Sequence, residues 1–414
     1  MISGNDLHGI WITGINATEN QVIGNYIGTD VNGMTAVPNG AREDVGDGNG
    51  VLISHSAAAN VIGGDSAHGN VISGNDGAGV RLLRATGNEI FGNIIGLDAT
   101  GNSIVSNNGD GVDIVASPGT KVGKAGPGFL QVISGNDQHG VDVSISLDDG
   151  TPSEGTLLVN NYIGLNLVGD AARGNAGGGV LIDGSRTIIG QANQEGVRNV
   201  ISGNAGNGID VSEAVGIQVI GNFIGTTALG EASLGNMGHG IDIRDSASNA
   251  IGGSNSLERN VISGNLGSGV SIVGENADDN AIRGNLIGLA VDGVHVLGNQ
   301  DNGVFINSGD RTIIGGTTVG DRNVISGNAN NGVYLFGPGV TETEIKGNFI
   351  GTEASGSAAA GNGGNGVLLI NASLNQIGSL TTGSNVISGN AENGVGISAS
   401  NAGFGNVLEG NLIG

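Results

Sequence analysis

The hexapeptide NVISGN at residues 70–75 decides the fold of this chain, because it returns at a nearly fixed spacing. Further copies stand at 199–204, 260–265, 323–328 and 385–390, with QVISGN at 131–136 and a shortened ISGN at 2–5. The spacing between copies is about 61 to 70 residues. Repetition at such a period is typical of proteins built from stacked supersecondary units. The repetition therefore indicates that the chain is an array of repeats.

Three short segments recur within this array. The first has the form G-V-x-I, as in NGVLI (49–53) and HGIDI (239–243), and it occurs 13 times. The second, N/T-x-I, and the third, N-x-I-S/G, also occur 13 times each, and NVISGN is a copy of the third. Intervals between copies of the first segment alternate between about 29 residues and a longer step of about 32 to 41. One unit is therefore about 30 residues long, and the NVISGN period is a double unit.

Segments this short, separated by Gly, Asn, Asp and Ser turns, cannot bury a hydrophobic face alone. If each unit is one coil of a solenoid, each segment pairs in parallel with its copy in the next coil, and like residues form ladders inside. The sequence therefore predicts an all-β solenoid of about 13 coils with three short strands per coil. The isoleucine of NVISGN is predicted to be a buried rung, the asparagine before it a stacked amide, and the glycine a residue that permits the tight bend.

The N-x-I and G-V-x-I pattern resembles that of the right-handed parallel β-helix superfamily, which includes pectate lyases, polygalacturonases, alginate epimerases and many bacterial surface proteins. The resemblance covers the whole chain and implies a right-handed parallel β-helix. It leaves the function open, because lyases, hydrolases, epimerases, adhesins and tailspikes all use this architecture. Residues 1–414 are expected to form one β-helix domain. Because the sequence begins and ends inside a repeat, we expect it to be a fragment of a longer repetitive protein.

Composition limits the partners. The chain has 38 Asp and Glu against 14 Lys and Arg, a formal net charge of −24. Nucleic acids and anionic membrane surfaces call for a basic face, so we expect neither as a partner and expect cations instead. The absence of cysteine removes disulfides and thiol catalysis from consideration. No stretch approaches the roughly 18 to 20 continuous apolar residues of a membrane span, so membrane insertion is not expected.

The outward positions of the first segment carry candidate chemistry, because side chains alternate in and out along a strand. In four central coils the middle residue of G-V-x-I is aspartate: Asp113, Asp142, Asp210 and Asp242. Neighbouring coils hold the backbones of Asp113 and Asp142, and of Asp210 and Asp242, about 4.8 Å apart, so unscreened carboxylates would raise a pKa or recruit a cation. The hypotheses are Ca²⁺ binding at Asp113 and Asp142, and acid–base catalysis on a glycosidic bond by this acidic belt. The alternative is a merely solvated acidic face.

The string GHGID at 238–242 is similar to the Gly-His-Gly of polygalacturonases, and this resemblance makes His239 a candidate catalytic residue, with Arg244 close by. However, His-Gly also stands at 8–9 and 139–140, so the repeat itself places histidine there, and the basic Arg-Ile-Lys string of that family is missing. If the protein is an enzyme, the catalytic candidates are therefore His239, Arg244 and the four aspartates.

Phe305 and Tyr334 occupy the same outward position in adjacent coils. Two aromatic rings at this spacing can form a platform on which a sugar ring stacks, and they are the candidate carbohydrate-binding residues. The alternative is a simple cross-strand contact between the two rings.

A second outward row is apolar in every coil. It consists of the residue between Asn and Ile of the third segment: Tyr26, Val71, Ile94, Val132, Tyr162, Val200, Phe223, Val261, Leu286, Val324, Phe349, Val386 and Leu412. A bare apolar stripe of this length would be unusual for a soluble monomer. Alternate coils carry a loop of near-constant length directly after this segment, such as 96–112 and 288–304. We predict that these loops fold back over the stripe; the alternative is a bare stripe that binds a partner or a second copy.

These features favour an extracellular or cell-surface module that acts as a rigid structural, adhesive or carbohydrate-binding element. Uniform coils, few aromatic residues and few long loops leave little with which to build a deep substrate cleft. The expected partner is a polysaccharide or another surface component, and the open coil ends allow end-to-end or lateral self-association. The alternative is a polysaccharide lyase, glycoside hydrolase or epimerase that acts at the acidic belt, with Ca²⁺ as the cofactor to consider.

Overall fold

The computed structural model describes residues 1–40, 48–126, 128–191, 197–400 and 403–414. Within these residues, 39 short strands form three parallel sheets of 13 strands, and every coil contributes one strand to each sheet. This confirms the predicted solenoid of 13 coils. A single turn of 3₁₀ helix, Ser256–Glu258, interrupts the β-structure of the described part of the chain. Over the same residues, no helix is long and apolar enough to cross a membrane.

The first sheet is built from four-residue strands that contain the G-V-x-I segments. Its strands are Ile10–Thr13, Val51–Ser54, Val80–Leu83, Val112–Val115, Val141–Ser144, Val180–Asp183, Ile209–Ser212, Ile241–Arg244, Val270–Val273, Val304–Asn307, Val333–Phe336, Val367–Ile370 and Val395–Ser398. Its aliphatic residues point inward, and the residue between them points outward, as the two-residue period of a strand requires.

The strands of the second and third sheets have two or three residues, apart from the four-residue Thr187–Gly190, because glycine and asparagine turns follow closely. The second sheet consists of Gln21–Val22, Val61–Gly63, Glu89–Phe91, Lys121–Val122, Thr156–Leu158, Thr187–Gly190, Gln218–Ile220, Ala250–Gly252, Ala281–Arg283, Ile313–Gly315, Glu344–Lys346, Gln376–Gly378 and Val407–Glu409. The third consists of Tyr26–Ile27, Val71–Ile72, Ile94–Ile95, Gln131–Ile133, Asn161–Ile163, Val200–Ile201, Phe223–Ile224, Val261–Ile262, Leu286–Ile287, Val324–Ile325, Phe349–Ile350, Val386–Ile387 and Leu412–Ile413.

The chain divides into two compact units. Residues 1–190 and 196–209 form unit 1, and residues 191–195 and 210–414 form unit 2. That residues 1–414 act as one domain remains a prediction.

The isoleucine ladder of the third sheet is buried as predicted. Each of the following residues is 0% exposed: Ile72, Ile95, Ile133, Ile163, Ile201, Ile224, Ile262, Ile287, Ile325, Ile350 and Ile387. Register explains this uniformity, because a slip of one residue would turn each of these side chains to solvent.

The predicted asparagine ladder is also present. In unit 1, Asn70 Nδ2 donates to Asn93 Oδ1 at 2.9 Å, and Asn93 Nδ2 donates to Gln131 Oε1 at 2.9 Å. The last residue of NVISGN forms a second amide ladder, in which Asn75 Nδ2 donates to Asn107 Oδ1 at 2.8 Å and Asn107 Nδ2 to Asn136 Oδ1 at 2.9 Å. These bonds satisfy amides that would otherwise be buried without partners, which is costly.

The apolar stripe of the third sheet is covered by loops, as predicted. Phe223 is 4% exposed, Leu286 1% and Phe349 9%. Glycines of the loops lie directly on these side chains: a Cβ at Gly230 would lie 2.7 Å from Phe223 Cε2, and one at Gly356 would lie 2.7 Å from Phe349 Cε2. The alternative of a bare stripe is therefore wrong for these residues.

The loops form a layer of their own. Each begins as a short antiparallel turn, with bridges such as Leu97 to Ile104. Successive loops within a unit are hydrogen-bonded, since Leu167 N donates to Gly101 O at 2.9 Å and Val291 N donates to Gly230 O at 3.0 Å. The third sheet is thus covered by a second layer. Among the residues that the structure describes, the outer face of the first sheet has no such layer of loops, and the candidate site residues lie there.

Candidate functional site

The four aspartates of the predicted acidic belt lie at the same outward position of first-sheet strands. Asp113 and Asp142 belong to unit 1 and are direct partners in the parallel register. Asp210 and Asp242 belong to unit 2 and lie on neighbouring strands. The structure therefore brings each predicted pair together within its own unit. The catalytic and metal-binding roles of these residues remain predictions.

Most of these carboxylates are screened by arginine, contrary to the sequence interpretation. In unit 1, Arg81 Nε lies 3.0 Å from Asp113 Oδ2. In unit 2, Arg244 Nη2 lies 2.5 Å from Asp242 Oδ2 and 3.8 Å from Asp210 Oδ1. Sequence reasoning missed the Arg244 pairs because it compared residues at one strand position, whereas Arg244 comes from the fourth position of its strand. Arg81 stands at the same position as Asp113 on the neighbouring strand, but only the pairing of Asp113 with Asp142 was considered.

Asp142 is the exception. Its Oδ1 atom is buried and has no hydrogen-bond partner among the described residues. Burial raises the pKa of its carboxyl to about 7, with further increases from the charges of Asp110 and Asp113 and an opposing effect of His139. Desolvation and like charges both disfavour the carboxylate form, so the side chain holds its proton up to neutral pH.

Asp110, His139 and Asp142 form a compact group of possible ligands. One ligand atom from each lies within 4.8 Å of the other two. His139 N donates to Asp110 Oδ1 at 2.8 Å, and His139 Nδ1 lies 3.4 Å from the same oxygen. Asp113, the other half of the predicted metal pair, is engaged by Arg81 instead. Two carboxylates and an imidazole suit a transition-metal ion better than Ca²⁺, which prefers oxygen ligands.

Asp110 was not among the predicted site residues. It precedes the glycine of G-V-x-I, a turn position that other coils fill with asparagine, as at Asn302 and Asn331. There Asn331 N donates to Asn302 Oδ1 at 3.1 Å, much as His139 N donates to Asp110 Oδ1. Aspartate at a turn position that other coils fill with asparagine was the sequence signal that could have identified Asp110.

A small polar cavity opens beside this group in unit 1. Its volume is ≈ 160 Å³, and its lining includes Asp76, Arg81, Asn108, Asp110 and Asp113. Charged and amide groups on its walls suit water, an ion or the hydroxyl groups of a sugar rather than an apolar ligand.

His239 has a structural contact in unit 2. Its Nδ1 atom accepts a hydrogen bond from Ser268 N at 3.0 Å. His8 makes the same contact in unit 1, where its Nδ1 accepts from Asn49 N at 3.2 Å. Both histidines thus accept a hydrogen bond from a backbone N–H of the next coil. This supports the interpretation that the His-Gly pairs are ordinary variation of the repeat.

The predicted aromatic pair is part of a cluster of three rings in unit 2. The centroids of Phe305 and Tyr334 are 5.4 Å apart, and those of Tyr334 and Phe336 are 5.8 Å apart. Phe336 is 39% exposed. Sequence reasoning missed Phe336 because it considered only the middle outward position, although the fourth residue of the strand also points outward. In unit 1, the same outward row presents Trp11, which is 57% exposed.

Comparisons with known proteins show the fold alone. No family model and no curated protein matches the sequence. A double mutant of the periplasmic alginate epimerase AlgG matches with 13% identity and a TM-score of 0.51, over 95% of this chain and 84% of that chain. The A-module of a mannuronan C-5 epimerase from Azotobacter vinelandii matches with 14% identity and a TM-score of 0.41, over 90% and 92%. A surface adhesin of Streptococcus pneumoniae matches with 10% identity and a TM-score of 0.30, over 96% and 84%.

This chain is a right-handed parallel β-helix, as its three parallel sheets and its similarity to the AlgG structure show.

The raised pKa of Asp142 predicts a pH dependence of stability. In the unfolded chain this carboxyl ionises near its ordinary pKa of 3.8, whereas in the folded protein it ionises near pH 7. The folded state therefore binds the proton more tightly, and stability falls as the pH rises from about 4 to about 7. Asp142→Asn removes this penalty. In EDTA, we expect the variant to gain stability over the wild type progressively across this interval, by at most about 4 kcal/mol above pH 7.

Urea denaturation at pH 4 and pH 8 measures this gain. Asp113→Asn is the matched comparison, because it removes a carboxylate that is paired with Arg81 and that adds less to the raised pKa of Asp142 than burial does, so its gain should be well below that of Asp142→Asn. A gain from Asp142→Asn that is the same at both pH values would contradict the pKa assignment.

Proposed function

We propose that this chain is an extracellular or cell-envelope module that binds a polysaccharide along the outer face of the first sheet. The observation that carries the proposal is the cluster of Phe305, Tyr334 and Phe336 on two adjacent coils of unit 2. Aromatic faces offer a large apolar area with little conformational entropy to lose, and the apolar face of a sugar ring can pack on them.

The rest of the outward row in unit 2 complements these rings. Register places Ser271 beside Phe305, and Asp242 beside Ser271. A linear polymer lying across successive coils, which are about 4.8 Å apart, can stack on the aromatic end and hydrogen-bond at the polar end. Arg244 and Asp242 supply charged donors and acceptors there. The row thus combines the apolar and polar contacts that orient a bound sugar.

The likeness to the AlgG structure supports the partner and the location. That protein is a periplasmic alginate epimerase, so a fold of this kind serves a polysaccharide in the cell envelope in at least one case. Fold alone does not transfer function, so the proposal depends on the residues of the outward row.

A second candidate function is catalysis on a polysaccharide at the Asp142 group of unit 1. It is favoured by a carboxyl whose pKa is raised to about 7, because such a group can both give and take a proton at neutral pH. His139 lies in the same group, and the Arg81 guanidinium next to Asp113 offers a cation for an acidic sugar. Asp110, His139 and Asp142 are the residues that would hold a divalent cation. The sequence-based proposal was Ca²⁺ at Asp113 and Asp142. Such a cation would neutralise the group and bind sugar oxygens.

The test is to measure binding of the purified protein to alginate, pectate and a neutral glucan by isothermal titration calorimetry, in EDTA and in millimolar Ca²⁺. We expect one of these polymers to bind, and Tyr334→Ala and Phe336→Ala to weaken that binding at least tenfold. Phe404→Ala is the control, because Phe404 is also an exposed phenylalanine of unit 2, at 68%, but is not part of the cluster. Equal affinity of all three variants, or no binding to any polymer, would contradict the proposal.

The same samples separate the two candidate functions. Catalysis predicts shortened chains or altered uronate stereochemistry in the polymer, and loss of that product with Asp142→Asn. Binding without catalysis predicts an unchanged polymer and an affinity that Asp142→Asn leaves intact. Dependence of either result on Ca²⁺, abolished by Asp110→Asn, would support the cation at this group.

A further inference from the structure

A groove crosses the outer face of the second sheet in unit 1, away from the residues discussed so far. Its volume is ≈ 440 Å³. Its floor comes from three successive strands, Gln21–Val22, Val61–Gly63 and Glu89–Phe91, and one wall from the turn that carries Lys124 and Phe129. The lining is half apolar, with Ile23, Val61, Phe91 and Phe129, and half polar, with Gln21, Asp65, His68, Glu89 and Lys124.

Lys124 is the central feature of this groove. Its Nζ atom lies 4.6 Å from the ring centroid of Phe91 and 4.7 Å from that of Phe129. The two rings are edge to face, with centroids 5.7 Å apart and an interplanar angle of 85°. Phe91 is only 6% exposed and is fixed in the wall, whereas Phe129 is half-buried. Cation–π attraction therefore holds the ammonium group at the groove while part of an aromatic surface stays open.

The two carboxylates of the groove are already engaged. Asp65 Oδ1 accepts from His68 Nδ1 at 2.6 Å and from Ala67 N at 3.0 Å. Glu89 Oε1 accepts from Lys121 Nζ at 2.8 Å. Lys124, by contrast, makes no ion pair with any residue that the structure describes. The contacts of its ammonium group that the described residues show are those with the two aromatic rings.

We propose that this groove is a separate binding site for an anionic sugar residue, whose ring packs on Phe129 and whose anionic substituent pairs with Lys124. Ile23, which is 44% exposed, and Val61 extend the apolar surface, while Gln21 and His68 offer hydrogen bonds to hydroxyl groups. A charge-assisted hydrogen bond to the ammonium group selects an anion over a neutral sugar. Carboxylate and sulfate ester both have this chemistry, and the experiment below distinguishes them.

This inference goes beyond the proposed function, since it concerns a different sheet and a different unit from the aromatic cluster, and it shares with that function only a sugar as ligand. The two can therefore fail separately. If Tyr334→Ala loses binding and Lys124→Met does not, the sugar binds at the first sheet. If Lys124→Met loses binding and Tyr334→Ala does not, the sugar binds in the groove.

The test is calorimetric titration of the full chain with three oligosaccharides of equal length: a uronate oligomer, a sulfated oligomer and a neutral glucan oligomer. We expect one or both anionic oligomers to bind more tightly than the neutral one, with an affinity that weakens as NaCl is raised. Lys124→Met keeps the apolar stem of the side chain and removes its charge. It should lower the affinity for the anionic oligomers at least tenfold and leave the neutral one unchanged. The anion that the wild type prefers identifies the substituent.

Lys346→Met is the control, because it removes a lysine of unit 2 whose charge is paired with Glu344 and which does not line the groove. It should change the affinity for anionic oligomers less than threefold. Phe129→Leu should weaken binding of the anionic oligomers, because the stacking surface is lost. The inference is overturned if neither anion binds more tightly than the neutral oligomer, if Lys124→Met binds anions as the wild type does, or if Lys346→Met loses as much affinity as Lys124→Met.

Discussion

Replacing Ile201 by aspartate is expected to lower the free energy of unfolding by about 4 kcal/mol or more. Ile201 is 0% exposed and pairs in register with Ile163 in the buried ladder of unit 1. A carboxylate at this position would have no partner inside the coil, so it must either remain protonated or break the stack around it. Urea denaturation followed by circular dichroism measures the loss as a lower midpoint.

Two other substitutions make this result specific. Leu147→Asp introduces the same carboxylate at a side chain that is 96% exposed, and it should change stability by no more than about 0.5 kcal/mol. Ile201→Val keeps the rung apolar and should cost about 1 kcal/mol. If Ile201→Asp denatures at the same urea concentration as Leu147→Asp, the isoleucines of NVISGN are not interior rungs.

Gly123→Ala is expected to cause the second largest loss of stability, about 3 kcal/mol. Gly123 has a φ of +91° and lies at a coil corner, where an added Cβ would be 1.7 Å from the carbonyl oxygen of Val159 in the next coil. That oxygen already accepts a hydrogen bond from Asn161 Nδ2 at 3.1 Å, so it cannot withdraw without disturbing the amide ladder. The stacked coils must therefore separate locally.

Gly87→Ala is the control for this substitution. Gly87 also has a positive φ, +64°, but nothing lies within 4 Å of a Cβ added there. Its replacement should cost only the conformational strain of about 1 kcal/mol. Equal losses from Gly87→Ala and Gly123→Ala would mean that backbone conformation alone, and not the contact between coils, makes glycine necessary at the corner.

Much of the fold could be predicted because the repeat copies each structural role many times. Ile72 and its equivalents could be assigned to the interior, since 13 copies of one pattern leave a single consistent register. The cover over Phe223 and Leu286 could be predicted from loop position and apolar content. The second amide ladder of Asn75 was not foreseen, because its partner Asn107 lies beyond an inserted loop and only the folded coil aligns the two.

The candidate sites were harder to predict, because the repeat fixes where each side chain lies but not which of its neighbours it pairs with. Asp113 has Arg81 on one side and Asp142 on the other, at the same strand position. The sequence correctly placed Asp113 beside Asp142. However, Asp113 forms an ion pair with Arg81, so the two carboxylates do not act as one pair. Asp110 lies at a turn position and Phe336 at the end of a strand, and the sequence comparison considered neither position. The groove around Lys124 joins three strands and a turn, and no repeated motif marks it.

Hydroxyl-radical footprinting tests the central proposal, polysaccharide binding on the outer face of the first sheet, most directly. The oxidation of individual side chains is measured by mass spectrometry with and without the polysaccharide that binds. We expect oxidation of Tyr334 and Phe336 to fall when the polysaccharide is bound, while oxidation of Phe404 stays unchanged. Saturating polysaccharide that leaves Tyr334 and Phe336 as reactive as in the free protein would contradict the proposal.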